Sequence, residues 1–526
     1  MKKIIISLLF IISGCACLSQ GWPKIIVEND TGPRKVIETY DKGYLIISNI
    51  YISNYHRYIW LIKTDIDGNI LWDKKIGEGS YRYYIDDINQ TFDGGYVLVF
   101  RCSKYDIDID PVVMKLNACA EIEWCTTLHS EGFNRGVKVI QTPDSNYLTL
   151  SMYHSPDWAE RIFLFKLNQD GEVLWSQLYA QLEPGIWNEE GFDLTIFPND
   201  SSYLITGTCE YIPTNSTNGF WIKVLEDGTE SYDIVWNDSI FELNTANQSE
   251  NLSDYFFSIG SKIYNSVFHP TIYKITNDGI KESSFTIINN TYGGTGSTLS
   301  ILNDSLFVVG GRWEEASPPF QGHCEVFITD TIGNVYHQRT LFDDLQSPRN
   351  TEITFDNKIL VMCGFYIGSS WDIYFYKLNQ YLEDDTLYNI QLTYDSLCPG
   401  TIISDTMTVD CDIWVDIDEM FEPETNSILK IFPNPASDRI QIEIPGYLLS
   451  EATINGFNVT SAHKLEGDLI LSIYDGYGKR VLNKEVSGNE KSVELNISDM
   501  SSGLHIVAMT LEGRVVASGK FIVHKK

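Results

Sequence analysis

A lysine embedded in an apolar run returns about every fifty residues, and that period limits the possible folds more than any other property of the chain. Lys63, Lys115, Lys166, Lys223, Lys274 and Lys377 occupy the position, with Ile328 standing in once between the last two. Seven units of this length fit four-stranded blades arranged around an axis, because no single unit can bury both of its faces alone. Two further anchors travel with the lysine. Upstream lies a polar turn followed by an aromatic and an aliphatic residue: Asp41-Lys42-Gly43-Tyr44-Leu45, Asp93-Gly94-Gly95-Tyr96-Val97, Asp144-Ser145-Asn146-Tyr147-Leu148 and Asp200-Ser201-Ser202-Tyr203-Leu204. Looser versions are read at Gly260-Ser261-Lys262-Ile263-Tyr264, Asp304-Ser305-Leu306-Phe307 and Asp356-Asn357-Lys358-Ile359-Leu360. Downstream comes a tight-turn pair, Asp67-Gly68, Asp170-Gly171, Asp227-Gly228, Asp278-Gly279 or Ile332-Gly333, which suits a hairpin that needs positive φ. The second unit has Cys119-Ala120 there, and the seventh has no glycine.

In the first unit the strands fall at residues 35–38, 44–50, 59–64 and 70–76. The middle strands read as continuous apolar runs, as sheets covered on both faces require. Trp72, Trp124 and Trp175 recur on the outer strand and are assigned to packing between units. The seventh unit lacks an outer strand of its own. Trp22-Pro23-Lys24-Ile25-Ile26 echoes Trp72-Asp73-Lys74-Lys75-Ile76, so the N-terminus is expected to supply it and to cover an exposed sheet edge. The fold class is therefore all-β, a seven-bladed β-propeller over residues 21–392 followed by a smaller Ig-like β-sandwich.

Residues 1–20 read as a signal peptide: Lys2-Lys3, an apolar run from Ile4 to Ile12, then small residues. Cleavage near Ser19-Gln20 is the preferred reading, and lipidation of Cys15 within Ile12-Ser13-Gly14-Cys15 is the alternative. No later stretch is long and apolar enough to span a membrane. Export brings an oxidising environment, in which cysteines pair. Cys398 and Cys411 bracket a short segment of a connector, residues 393–427, and are the first choice for a disulfide. Cys119 and Cys125, beside a hairpin tip, form a second candidate pair. Cys102, Cys209, Cys324 and Cys363 lie in or beside apolar strands and read as buried thiols.

Residues 428–526 change texture. Ile440 to Ile444 alternates as a half-buried strand does, and Leu469 to Asp475 leads through Gly476-Tyr477-Gly478-Lys479 into a hairpin. Phe432-Pro433-Asn434-Pro435-Ala436, Tyr474-Asp475 with Gly478-Lys479, Ser502-Gly503-Leu504-His505-Ile506-Val507 and the terminal Lys520-Phe521-Ile522-Val523 resemble the C-terminal sorting domain of the type IX secretion system. His505 stands where that family usually has tyrosine, and residues 450–467 look like an insertion. The resemblance implies export across both membranes of a Gram-negative cell, with the type IX translocon as partner of residues 428–526. It also implies removal of the tail, with release or attachment at the cell surface. Pro433, Asn434, Pro435, Gly478, Lys479 and Gly503 are the sorting-motif residues it singles out. The repeat region is similar, more loosely, to passenger domains found with this tail, which carries no activity.

No catalytic, cofactor or metal residues are assigned. Gly-x-Ser-x-Gly, His-Glu-x-x-His and phosphate-loop patterns are absent, and the histidines are scattered. Asp65-Ile66-Asp67-Gly68 and Asp106-Ile107-Asp108-Ile109-Asp110 hint at calcium but read better as turns. With 71 acidic against 38 basic residues, a formal net charge of −33 opposes binding to nucleic acid or anionic lipid. The expected function is a secreted or surface-held module for binding or adhesion, with an extracellular glycan or protein as ligand. A hydrolase using channel carboxylates and a structural surface-layer component are the alternatives.

Overall fold

The fold is taken from a computed structural model. It describes residues 21–525 except 28–29, 54–55, 80, 105–108, 130–133, 155–159, 180–185, 198–200, 212–215, 237–247, 253–254, 265–266, 288–291, 316–321, 344–345, 347, 368–369, 389, 410, 412, 417–428, 445–451, 455–456, 460–468, 476–478, 487–489 and 512–513. The expected signal peptide and Gly478 lie outside the described residues. Every regular element among the described residues is a strand.

Seven four-stranded antiparallel units fill residues 24–378. The first consists of Thr31–Glu38, Tyr44–Ser53, His56–Thr64 and Ile70–Ile76, and the second of Tyr81–Gln90, Tyr96–Lys104, Ile109–Leu116 and Ile122–His129. Arg135–Gln141, Ile186–Ile196, Gln248–Leu252, Tyr292–Asn303 and Asn350–Ile353 open the remaining five. Among the described residues a single bridge, Arg57 to Arg82, joins the first two sheets, and no sheet closes on itself. The expected N-terminal strand is present: Lys24–Ile26 runs antiparallel to Ser370–Leu378 as the outer strand of the seventh unit, Lys24 opposite Phe375.

Packing between units follows one rule. Each first strand lies against the first strand of the next unit, and Asn350–Ile353 of the seventh lies against Thr31–Glu38 of the first. A separate apolar cluster fills each of the seven contacts. Leu61, Trp72, Tyr83 and Leu98 join units one and two; Val99, Val139 and Phe165 join two and three; Leu150 and Leu194 join three and four. Phe197 with Phe256, Phe257 with Phe307, and Val326 with Val361 carry the next three. Trp22, Ile46 and Phe375 join the seventh unit to the first. Burying a large apolar side chain is worth about 1.5–3 kcal/mol, so these contacts hold the units together.

The tryptophans work as inter-unit packing by a specific device. Trp124 of unit two lies on the tight turn of unit three, where a Cβ on Gly171 would meet its ring at 2.6 Å. Trp22 does the same to Gly68, at 2.8 Å, which explains the sequence echo between the N-terminus and the outer strands. Both glycines have positive φ, as do Ala120 and Leu382, which hold the equivalent place in the units without glycine. Asp65 Oδ1 accepts from the amides of Asp67 and Asn69 at 2.9 and 2.8 Å, so that acidic run is a capped turn.

Register corrects one alignment. Lys274 lies opposite Phe257, as Lys63 lies opposite Leu45, so the aromatic anchor of the fifth unit is Tyr255-Phe256-Phe257 and not Gly260 to Tyr264. The weak turn signal at residues 253–254 had shifted the alignment along the strand.

The disulfides also differ from expectation. Cys398 pairs with Cys119 and Cys411 with Cys125. The connector does not fold back on itself. It crosses the outer edges of the first two units, where Asp405–Met407 pairs parallel to Ile70–Ile76 and Ile413–Asp416 parallel to Ile122–His129. This path sets both connector cysteines beside unit two. Of the other cysteines, Cys209, Cys324 and Cys363 are buried and Cys102 is half-buried.

Beyond the connector, Ile431–Phe432, Arg439–Glu443 and Ser492–Asn496 form one sheet, and Leu469–Asp475, Arg480–Val486, Gly503–Leu511 and Arg514–Val523 another. Ile440, Ile442, Leu471, Ile473, Val507 and Phe521 share one core between them.

Candidate ligand-binding cavity

The repeated lysine is the first residue whose role the structure explains. Lys63 Nζ, fully buried, contacts Asp41 Oδ1 and Thr39 Oγ1 at 2.6 Å each. Lys115 meets Asp93 at 2.8 Å, Lys166 meets Asp144 at 2.8 Å, and Lys377 meets Asp356 at 3.2 Å. Burial alone would raise the Asp41 carboxyl, but Lys63 and the hydrogen bonds to it hold it below the ordinary range. The aspartate caps the turn between strands one and two, and the lysine neutralises it from strand three. In the sixth unit Asn303 caps the turn instead, accepting from Ser305 N at 3.0 Å, and a neutral cap sits with Ile328 in the lysine's place. These charges belong to the fold.

A different set faces the axis around which the first strands pack. Register brings equivalent positions to one level: Lys35, Asp87, Lys138, Asp193, Thr298 and Asn350. Lys35 Nζ lies 2.8 Å from Asp87 Oδ1, and Lys138 Nζ 2.8 Å from Asp193 Oδ1, each pair bridging neighbouring units. Two residues further along, the next level includes Asn89, Thr195, Glu250, Ser300 and Glu352. One extra residue bulges from several first strands on the other side, namely Arg34, Asp86, Val137, Phe192 and Ser297. A bulge re-aims a side chain. Arg34, Asp86, Val137 and Phe192 all line the cavity.

Together these strands line an open cavity of about 450 Å³, with walls from six of the seven units. That volume is in the range of small-molecule sites. Val137, Ile140 and Phe192 add apolar surface to the lining, and Arg34, Arg349 and Asp86 add charge. Burial pushes the Glu250 carboxyl up to about 8, with Asp193 and Glu352 acting the same way and Lys138 and Lys35 opposing. Burial also raises Glu352, against Lys35 and Lys138. Among the described residues, neither glutamate has an ion-pair partner within 4 Å, in contrast to Asp87 and Asp193. The cavity therefore offers fixed donors, two acceptors held toward their neutral form, and an apolar wall.

None of these residues was singled out from the sequence. A signal existed: Lys35, Asp87, Lys138 and Asp193 are charges of alternating sign at one position of the repeat, on strands otherwise facing a core. Finding it required the register. The sorting residues lie in the C-terminal domain, apart from the cavity. Asn434 Oδ1 accepts from Ile522 N at 2.9 Å and its Nδ2 donates to Lys520 O at 3.2 Å, tying the Pro-Asn-Pro segment to the last strand. Lys479 N donates to Asp475 Oδ1 at 3.0 Å, closing the hairpin, and Gly503 has a φ of 134°. His505 is buried and stacks on Phe521, a setting an aromatic tyrosine would also fill. No cluster of three or more metal-binding side chains occurs among the described residues, and no helix among them is long and apolar enough to cross a membrane.

Residues 430–524 match the family model described as a secretion system C-terminal sorting domain. This segment is a type IX secretion sorting domain, and it indicates export by that route to the cell surface or beyond, with the translocation machinery as partner. The match covers the tail and leaves the repeats outside it. No curated protein matches the chain. Among solved structures, a protein of unknown function from Dyadobacter fermentans is 10% identical with a TM-score of 0.40, covering 56% of this chain and 94% of its own. A puromycin hydrolase is 11% identical, TM-score 0.46, over 78% of this chain and 58% of its own. Drosophila Plexin A, solved with Semaphorin 1b, is 5% identical, TM-score 0.41, over 67% and 87%. Likenesses at this level define neither the architecture nor an activity of this chain.

Proposed function

We propose that the chain is an exported seven-bladed β-propeller that binds a small extracellular ligand in the cavity on its axis. One observation carries this reading. The first strands of seven units pack in sequence back to the first, and the space they leave is lined by charged groups beyond those needed to pair the units. The N-terminal strand in the seventh unit and the apolar cluster at each contact support the same architecture. Residues 1–20 act as the signal peptide, 21–392 as the propeller, 393–427 as a disulfide-bearing connector and 428–526 as the sorting domain. Pro433, Asn434, Pro435, Lys479 and Gly503 serve sorting through the shape of that domain. Binding or adhesion is the function of the large domain.

Glu250 and Glu352 favour a second reading, a glycan hydrolase, since a carboxyl held neutral beside another carboxyl is what general acid catalysis uses. An oligosaccharide array probed with the full chain separates the two. Retention of an intact ligand supports the binding module, and release of shortened products that stops in E250Q supports the hydrolase. No retention and no product would overturn both.

A further inference from the structure

Arg34 and Arg349 occupy the cavity wall from adjacent units, the first and the seventh. Burial lowers the basicity of the Arg34 guanidinium, and both Arg101 and Arg349 push it in the same direction, with Asp86 opposing. Asp86 is already engaged, because Arg101 holds it through Nε at 3.1 Å and Nη2 at 2.9 Å. Arg135 likewise is held by Glu190, at 2.9 Å. Among the described residues, neither Arg34 nor Arg349 has a carboxylate within 4 Å. Scarcity of acids does not explain this, in a chain with 71 of them. Arg34 is half-buried and Arg349 is exposed beside it; the two guanidinium groups repel each other, and an anion between them would turn that cost into attraction.

Resting on the reading of the cavity as a binding site, we infer that Arg34 and Arg349 recognise the acidic group, carboxylate or sulfate ester, of an acidic saccharide. The rest of the wall fits such a ligand. Planar guanidinium forks match the two oxygens of a carboxylate or sulfate. Glu250, Glu352, Asn89 and Thr195, at the next levels along the axis, offer partners for hydroxyl groups. Phe192 and Val137 present an apolar side to the C–H face of a sugar ring. A peptide fits less well, because the cavity is lined with charges of both signs and has no series of apolar side-chain pockets or free strand edge.

Calorimetric titration of the full chain tests this with three oligosaccharides of equal length: a uronate, a sulfated one and a neutral one. The uronate or the sulfated ligand should bind at least tenfold more tightly than the neutral one, and the preferred member of the pair identifies the acidic group. R34Q/R349Q should lose at least tenfold in affinity for the acidic ligand, keep its weak affinity for the neutral one and melt within a few degrees of the parent. Equal binding of neutral and acidic ligands, or no binding of either acidic ligand, overturns the assignment. V137W, which fills the cavity, separates the two levels of the proposal. Acidic-ligand binding lost in V137W but unchanged in R34Q/R349Q leaves the cavity as the site and removes the arginines, and binding unchanged in both variants removes the cavity as well.

Discussion

The turns of each unit and its axial face use charge for opposite purposes. At the end carrying the strand one-to-two and three-to-four turns, acids are paired: Asp41, Asp93, Asp144 and Asp356 each receive a lysine from the third strand of the same sheet. On the axial face, Arg34, Arg349, Glu250 and Glu352 line a cavity in which, among the described residues, none of them has an ion-pair partner within 4 Å. Buried charge that is internally satisfied repeats from unit to unit, as a fold requirement should. Charge that is not satisfied differs between units. That difference separates scaffold from candidate site better than charge count or burial does.

The contrast can be broken first at the turn end. K63M leaves Asp41 buried without its cation, and removing one partner of a buried pair costs about 3–5 kcal/mol. The expected result is a large fall in melting temperature, and an unchanged melting temperature would mean the pair is dispensable. Next in size is the connector. Cys119–Cys398 spans 279 residues of sequence, and losing a disulfide that closes a long loop typically costs about 2–4 kcal/mol. C398S should therefore lower stability under oxidising conditions and leave little difference from the parent once both are reduced. A Cys398–Cys411 pairing would instead show as one short disulfide-linked peptide pair after proteolysis.

A further test lies in the cavity and depends on pH. Glu250 has a folded value of about 8 against an ordinary 4.5. A raised acid contributes most to stability below its unfolded value, so stability should decline as pH rises from about 4.5 to about 8 and then level off. E250Q should flatten that decline, and the parent and variant should converge toward pH 4. A decline that persists unchanged in E250Q would assign it to other groups, Glu38 among them, which burial pushes up to about 7.

Much of the scaffold was legible because each unit writes it again. The lysine, the aromatic strand and the Asp-Gly turn each appear several times, and the Trp22 echo disclosed the N-terminal strand. The fifth unit was misaligned where its turn departs from the pattern. The disulfides were misread because proximity in sequence says nothing about a connector that runs back across a distant strand; Cys398 and Cys411 are neighbours in the chain and partners of unit two. The cavity was least legible. Lys35, Asp87 and Lys138 stand at one offset before the repeated lysine, but the residue type changes from unit to unit, and only the register shows that they share a level with Asp193. The sorting domain was readable for another reason, since its motifs are local and occur in fixed order.

Hydrogen–deuterium exchange on the full chain, with and without an acidic oligosaccharide, bears most directly on the division between the turns and the axial face. Peptides covering Thr31–Glu38, Tyr81–Gln90 and residues 349–353 should gain protection with ligand, while those covering the turns at 39–43, 91–95 and 142–146 should exchange as before. Protection gained at the turns, with none on the first strands, would contradict it.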